Sequence, residues 1–371
     1  MVNVVTLATR KGLEVEVLLE IIMIPAVLAI IKIMVVILMF AMPLGTVLTL
    51  MERKWSAMIQ DRVGPNRANI GKFTGHGALH LAADGLKSIF KEDTMPKGAD
   101  GFLYLIAPFF GLIAGVATFA IIPLAGPIGD FTFQVTDIEP GLLFVFAITS
   151  LSVYGAVLAG SSSNSKFALL GGTRAAAQMI SYEVFMGLAL MGVFMVYGTT
   201  RVSGIVDGQN EYWFGNLIPM WGVLTQPLGF VLFFTALVAE TKRAPFDAPE
   251  GESEIVAGYF LEYSGMRWSA FMLAEYVALV GVASLITTLF FGGYHVPWLH
   301  LWESAPQWIV TIMQVIKFSI FTLFFCWFQI QLRWTVPKFR FDQTMALGWK
   351  KLLPLSLVNV FVTAFVILAF G

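Results

Sequence analysis

Apolar residues in this chain run nearly unbroken for about 20 positions at a time, and the polar residues collect between the runs. A hydrocarbon layer about 30 Å thick needs roughly 20 apolar residues in a helix rising 1.5 Å each. Each run therefore predicts a transmembrane helix. Eight are expected, over 33–51, 102–122, 141–160, 179–197, 221–239, 270–291, 308–331 and 352–370. An even number puts both termini on one side. The stretch 13–31 is also apolar but carries Glu14, Glu16 and Glu20, which suits a surface-lying helix or an extension of the first span. The fold class that follows is an all-α polytopic membrane protein, residues 1–371 forming a single membrane domain with an N-terminal extension over 1–32. No small-residue cleavage site follows a short apolar core, so no cleaved signal peptide is expected.

Charge sets the orientation. The loops after spans one, three, five and seven hold 18 of the chain's 23 Lys and Arg, whereas those after spans two, four and six hold Arg201 alone. The positive-inside rule turns the basic loops toward the cytoplasm, or toward a mitochondrial matrix. Three of them are long: 52–100, the acidic loop 240–269 and the basic loop 332–351. Long loops in a compact bundle usually serve a function. In the first, Leu79, Ala82, Ala83, Leu86 and Phe90 share one helical face with Lys87 and Lys91 opposite, the pattern of a helix lying in the membrane interface.

Composition narrows the chemistry. With 57% hydrophobic and 13% charged residues, a soluble enzyme is excluded, and a net charge of −1 points to no nucleic-acid partner. Cys326 is the single cysteine, too few for a disulfide or an iron–sulfur cluster, so a redox cofactor must belong to a partner. His76 and His80 are spaced i, i+4 without an evident third ligand, and no metal site is expected. No dinucleotide fingerprint, P-loop or nucleophile elbow is present.

Acids crowd the stretch 239–275. Glu240, Asp247, Glu250, Glu252, Glu254, Glu262 and Glu275 face only Lys242, Arg243 and Arg267. Carboxylates packed beside a low-dielectric bundle cannot all ionise cheaply, so some should hold protons near neutrality and pass them on. Asp247 and Glu250 also fit a capping box opening a helix that could run to Gly265. No cap explains Glu240, Glu262 or Glu275. Glu183 lies near the inner end of span four, at the depth of Glu240. Lys317, near the middle of span seven, needs a carboxylate or a water-filled cavity to offset its burial. Lys32 at an outer edge can snorkel instead. Glu183, Glu240, Glu275 and Lys317 together read as a polar path from the inner surface toward mid-membrane.

Five loop segments carry a resemblance: ERKWSAMIQDRVGPNRAN from Glu52, AADGLKSIFKED around Asp84, SSNSKFALLGGTRAAAQMISYEV, ETKRAPFDAPEGESEIVAGYFLEYSG and RWTVPKFRFDQTMALGWK. In order and spacing they resemble the family of subunit 1, also called the H subunit, of respiratory complex I, the proton-pumping NADH:quinone oxidoreductase. The likeness runs from Glu52 to the C-terminus. It implies an eight-span subunit at the heel of a membrane arm in a bacterial inner membrane, its long loops cytoplasmic. Glu52, Arg53, Arg62, Asp84, Phe246 and Arg333 would line or order the quinone tunnel. Tyr182, Glu183, Glu240, Asp247, Glu250, Glu252, Glu254, Glu262, Glu275 and Lys317 match the family's acidic-channel positions. Quinone is the implied substrate; NAD, FMN and iron–sulfur clusters are implied on partner subunits of the hydrophilic arm, with small membrane subunits alongside. Ala248 stands where the family more often has Leu, and Gly251, Glu252 and Ser253 where it often has Ala-Glu-Gln.

Other readings keep the fold and change the role. Related subunits serve membrane-bound hydrogenases and deazaflavin dehydrogenases. A stand-alone transporter would use a broken helix at mid-membrane, for which Gln226-Pro227 in span five is a weak match. A passive anchor would explain the basic loops but not Lys317.

Overall fold

The computed structural model describes residues 27, 30–71, 75–129, 131–213, 218–298 and 306–370. The N-terminal extension, with Glu14, Glu16 and Glu20, lies almost wholly outside these residues. Helices follow in the order α1 Ile30–Ile59, α2 Leu79–Phe90, α3 Gly101–Ile121, α4 Gly141–Ser162, α5 Lys166–Tyr197, α6 Val202–Gly208, α7 Gly222–Thr225, α8 Pro227–Glu240, α9 Gly265–Phe290, α10 Gln307–Thr335 and α11 Phe341–Ala369. Among the described residues, seven of these are long and apolar enough to cross a membrane: α1, α3, α4, α5, α9, α10 and α11.

The stretch expected as the fifth span is divided at Gln226-Pro227. Gln226 leaves helical geometry at φ −136° and ψ 60°, so α7 ends there and α8, with Pro227 at its first position, begins anew. Proline has no N–H to offer the preceding turn, and the backbone before it is pushed away from the α region. Gln226 itself is buried and held by Thr363 and Asn359 of α11. α5 is longer than expected, starting at Lys166 after Ser165 in an extended N-cap conformation and running through Gly171 and Gly172, where close packing against the Ala156 carbonyl and the Gly258–Tyr259 backbone leaves no room for a side chain.

α9 is the most buried of the long helices and packs against α1, α3 and α10. In a membrane bundle, small residues let helix backbones approach. A Cβ on Gly155 of α4 would stand 3.1 Å from the Ala107 carbonyl of α3, and one on Gly160 would stand 2.5 Å from the Ala168 carbonyl of α5.

α2 presents its polar side to the bundle. Ser88 and Ser269 are 2.7 Å apart, and Asp84 pairs with Arg53 of α1 at 2.5 Å. Its apolar side faces outward, leaving Leu86, Ile89 and Phe90 exposed. His76 takes φ 51° in a turn ahead of α2, so His76 and His80 do not share one helix.

Candidate functional site

The loop 241–264 turns back into the end of the bundle instead of forming one helix. Lys242 and Val256 adopt φ of 56° and 66°, a region that costs a side-chain-bearing residue roughly 1–2 kcal/mol. Asp247 and Glu250 consequently open no helix running to Gly265; the segment forms only short turns at Glu252–Ile255 and Gly258–Phe260. The capping-box reading is overturned. Asp247 instead pairs with Lys338 of the basic loop at 2.9 Å, and the carbonyl of Pro245 accepts from the N–H of Phe339.

Arg243 is the hinge of the charged interior. Its guanidinium is 3% exposed; Nη1 donates to Glu52 Oε2 at 2.5 Å, and Nε stands 2.8 Å from Glu275 Oε1, a charge contact off the angle of an aligned hydrogen bond. Glu52 also receives Arg333 at 2.6 Å and the Tyr276 hydroxyl at 2.9 Å. Four charges thus alternate in a row, Arg333, Glu52, Arg243 and Glu275, drawn from α10, α1, the acidic loop and α9. Burial alone would depress Arg243, but Glu275 and Glu52 outweigh it and hold the guanidinium well above its ordinary pKa.

Beside this row lies a cavity of ≈ 80 Å³ whose polar lining includes Thr149, Ser152, Glu240, Lys242, Tyr259 and Glu275. A water needs about 10–15 Å³ on this measure, so several fit. Glu183 of α5 lies within electrostatic reach of Glu240. Lys242 donates to the Tyr259 hydroxyl at 3.0 Å, and that hydroxyl is 3.5 Å from Glu250 Oε1. Desolvation by burial, then the charges of Glu275 and Asp247, push the Glu250 carboxyl well above the usual carboxylate range. Burial also raises Asp247, against the opposing pull of Lys338.

Other sequence candidates stand apart from the cavity. Tyr182 packs its ring against Phe246 at 5.3 Å and donates to the Thr344 carbonyl at 3.0 Å. Phe246 in turn meets Phe339 at 5.6 Å. Glu254 pairs with Arg174 at 2.6 Å, Glu252 is exposed, and Glu262 meets α3 through its backbone carbonyl, which accepts from Tyr104. Arg62 bonds Gln60 at the exposed end of α1.

Lys317 is the displaced member of the expected path. Its ammonium donates to the carbonyls of Phe291 and Gly293, just past the C-terminus of α9, and lies over the rings of Phe321 and Trp221. The carbonyl end of a helix dipole and aromatic faces, not a carboxylate, compensate its charge there. Because α9 and α10 are antiparallel, Lys317 is 16 residues from Arg333 and Phe291 is 16 from Glu275, roughly 24 Å along either helix. Lys32 meets Thr132 and the Gln134 carbonyl.

Residue patterns alone missed Arg243, Tyr259, Tyr276 and Gln178. Gln178 is fully buried and donates to the carbonyls of Ala239 and Phe246, tying α5 to the loop. The scarcity of bases among the acids of 240–275 was the available signal for Arg243.

A sequence model of a family described as NADH dehydrogenase matches residues 31–364. The chain is similar to an H subunit of NADH-quinone oxidoreductase from Geobacter metallireducens, 44% identical over 331 residues that cover 88% of this chain and 92% of the relative. It is 40% identical over 370 residues to the corresponding H subunit from Bdellovibrio bacteriovorus, covering 90% and 94%. To NADH-quinone oxidoreductase subunit 8 of Rhodothermus marinus it is 43% identical over 325 residues, covering 86% and 92%.

Proposed function

Since the chain belongs to the NADH dehydrogenase family, as a membrane subunit of an NADH-quinone oxidoreductase complex, we propose that its buried charges couple reduction of quinone to movement of protons. The basic and acidic loops face the cytoplasm of a bacterial cell, beneath partner subunits that bind NAD, FMN and iron–sulfur clusters. Small membrane subunits flank the bundle. Glu52, Arg53, Arg62, Asp84, Phe246 and Arg333 border the quinone tunnel. Glu183, Glu240, Glu250 and Glu275, with Asp247, Glu252, Glu254, Glu262 and Tyr182 around them, begin the proton channel that ends at Lys317.

The observation that carries this reading is the shared guanidinium of Arg243. Glu52 stands on the tunnel side and Glu275 on the cavity side, so a change of charge at either carboxylate alters what the other feels through one side chain. At a few ångströms and low local dielectric, such coupling is worth several kcal/mol. Quinone supplies the redox chemistry. This chain's residues orient it, exclude water around the charged row, and hold or release protons at carboxylate oxygens. Glu240 and Glu275 both line the cavity that would carry those protons as water contacts.

Glu240→Gln tests the reading. The assembled complex should oxidise NADH with a hydrophilic acceptor at the unmodified rate while coupled quinone reduction and pumping fall. Full pumping in that variant would remove Glu240 from the channel.

A further inference from the structure

Lys317 and the row of charges at Glu275 sit at opposite ends of the α9/α10 interface, roughly 24 Å apart. Three buried oxygens along these two helices have no hydrogen-bond partner: Ser284 Oγ, Thr322 Oγ1 and Gln329 Oε1. All three residues are at most 2% exposed. Their neighbours behave differently. Thr311, Thr287 and Thr288, on the same helices, each bond back to the carbonyl four residues earlier, the ordinary way a buried helix hydroxyl is satisfied. The Gln329 amide nitrogen is likewise bound, to the Phe325 carbonyl, which leaves only its oxygen open. A buried polar oxygen left unpaired costs about 1–3 kcal/mol, and a water meeting it removes that cost.

Along the helix axes these oxygens fall at successive heights between Lys317 and Arg333. Phe291 lies beside Lys317, Arg333 pairs with Glu52, and Glu52 and Glu275 share Arg243, so residues of α9 and α10 whose numbers sum to about the same value lie at similar heights. Ser284 then lies between Thr322 and Gln329 in height. From Lys317 the successive steps on α10 are roughly 7.5 Å to Thr322, 10.5 Å to Gln329 with Ser284 part-way, and 6 Å to Arg333. Waters about 2.8 Å apart bridge each gap with one to three molecules.

We propose that the α9/α10 interface carries a file of internal waters, held by Thr322, Ser284 and Gln329, that connects Glu275 to Lys317 as a proton route leading on from the cavity that Glu240 and Glu275 line. In one direction the O–H of protonated Glu275 breaks and an N–H forms on the neutral amine of Lys317. Each water between them gives up one proton and takes another. The reverse sequence carries the proton back.

This inference rests on the proposed role of Lys317 in proton coupling, and the experiment separates the two. In the whole complex reconstituted into vesicles, protons moved per NADH are measured for Lys317→Met, for the near-isosteric double variant Thr322→Val/Gln329→Met, and for Thr322→Ser. Assembly is followed by NADH oxidation with a hydrophilic acceptor. The route predicts a several-fold fall in protons per NADH for the double variant and normal pumping for Thr322→Ser. Pumping lost in Lys317→Met but retained in the double variant overturns the route; pumping retained in both overturns the role of Lys317 itself. A high-resolution density map of the unmodified complex is the second measurement, in which a dry interface between Ser284, Thr322 and Gln329 overturns the proposal even where the double variant does not assemble.

Discussion

Arg243 has two carboxylates and Glu52 has two guanidiniums, so no member of the row is replaceable alone. Removing one partner of a buried ion pair costs about 3–5 kcal/mol because the other is left uncompensated. Arg243→Met should therefore sharply reduce the amount of assembled complex on native gels. Arg243→Lys keeps the charge but not the fork that reaches Glu52 and Glu275 together; assembly should recover further than quinone reductase activity. Equal recovery of both would reduce the arginine to a structural counter-ion. Glu250 makes a separate prediction about pH. Burial, reinforced by Glu275 and Asp247, raises its carboxyl, so the folded chain keeps a proton that the unfolded chain has lost. The stability this contributes is complete below the ordinary carboxylate pKa and drains away as pH climbs through the raised value. Glu250→Gln resembles the protonated form permanently. Thermal melts of the purified complex taken from neutral to alkaline pH should fall less steeply for the variant, and parallel slopes would contradict this.

Helices matter here through how closely they let the acidic loop approach. Gly171 of α5 faces the loop directly: a Cβ there would stand 2.5 Å from the Tyr259 nitrogen and 2.7 Å from Gly258, both backbone. Gly187 on the same helix has open space around it. Gly171→Ala must push Tyr259 and its contacts with Lys242 and Glu250 away from α5, whereas Gly187→Ala should be silent. Quinone-linked turnover measured in the two variants should separate by several-fold, and matching activities would mean that the loop's seat is not critical. α2 poses the opposite situation, a helix whose apolar face is largely exposed among the described residues. Leu86, Ile89 and Phe90 remain exposed while Asp84 and Ser88 hold the helix to the bundle. Phe90→Glu should leave thermal stability within about 0.5 kcal/mol, as for other exposed sites, yet raise the quinone concentration needed for half-maximal rate if that face meets lipid or quinone tail. An unchanged dependence would assign α2 a different neighbour.

At the scale of the whole molecule, hydropathy made the helices legible because a run of some 20 apolar residues has few alternatives. The break at Gln226 was visible only as a proline; its depth of burial and its contacts with α11 depend on a helix more than 130 residues away. The crowding of acids in 240–275 was equally plain, yet what each acid touches was not. Asp247 and Glu250 satisfy a local capping pattern, and tertiary contacts with Lys338 and Tyr259 override it. Arg243 reads on paper as one base among three; only the convergence of α1, α9 and α10 distinguishes it. Lys317 was expected to need a carboxylate or a water-filled cavity, and its ammonium instead meets backbone carbonyls at the far end of α9. That separation has an electrical consequence. A proton carried between Glu275 and Lys317 travels roughly 24 Å of a layer about 30 Å thick, and a full crossing is worth about 2.3 kcal/mol per 100 mV. Roughly four-fifths of any membrane voltage would then fall across this one step, so turnover should slow as the membrane charges and quicken when an ionophore discharges it.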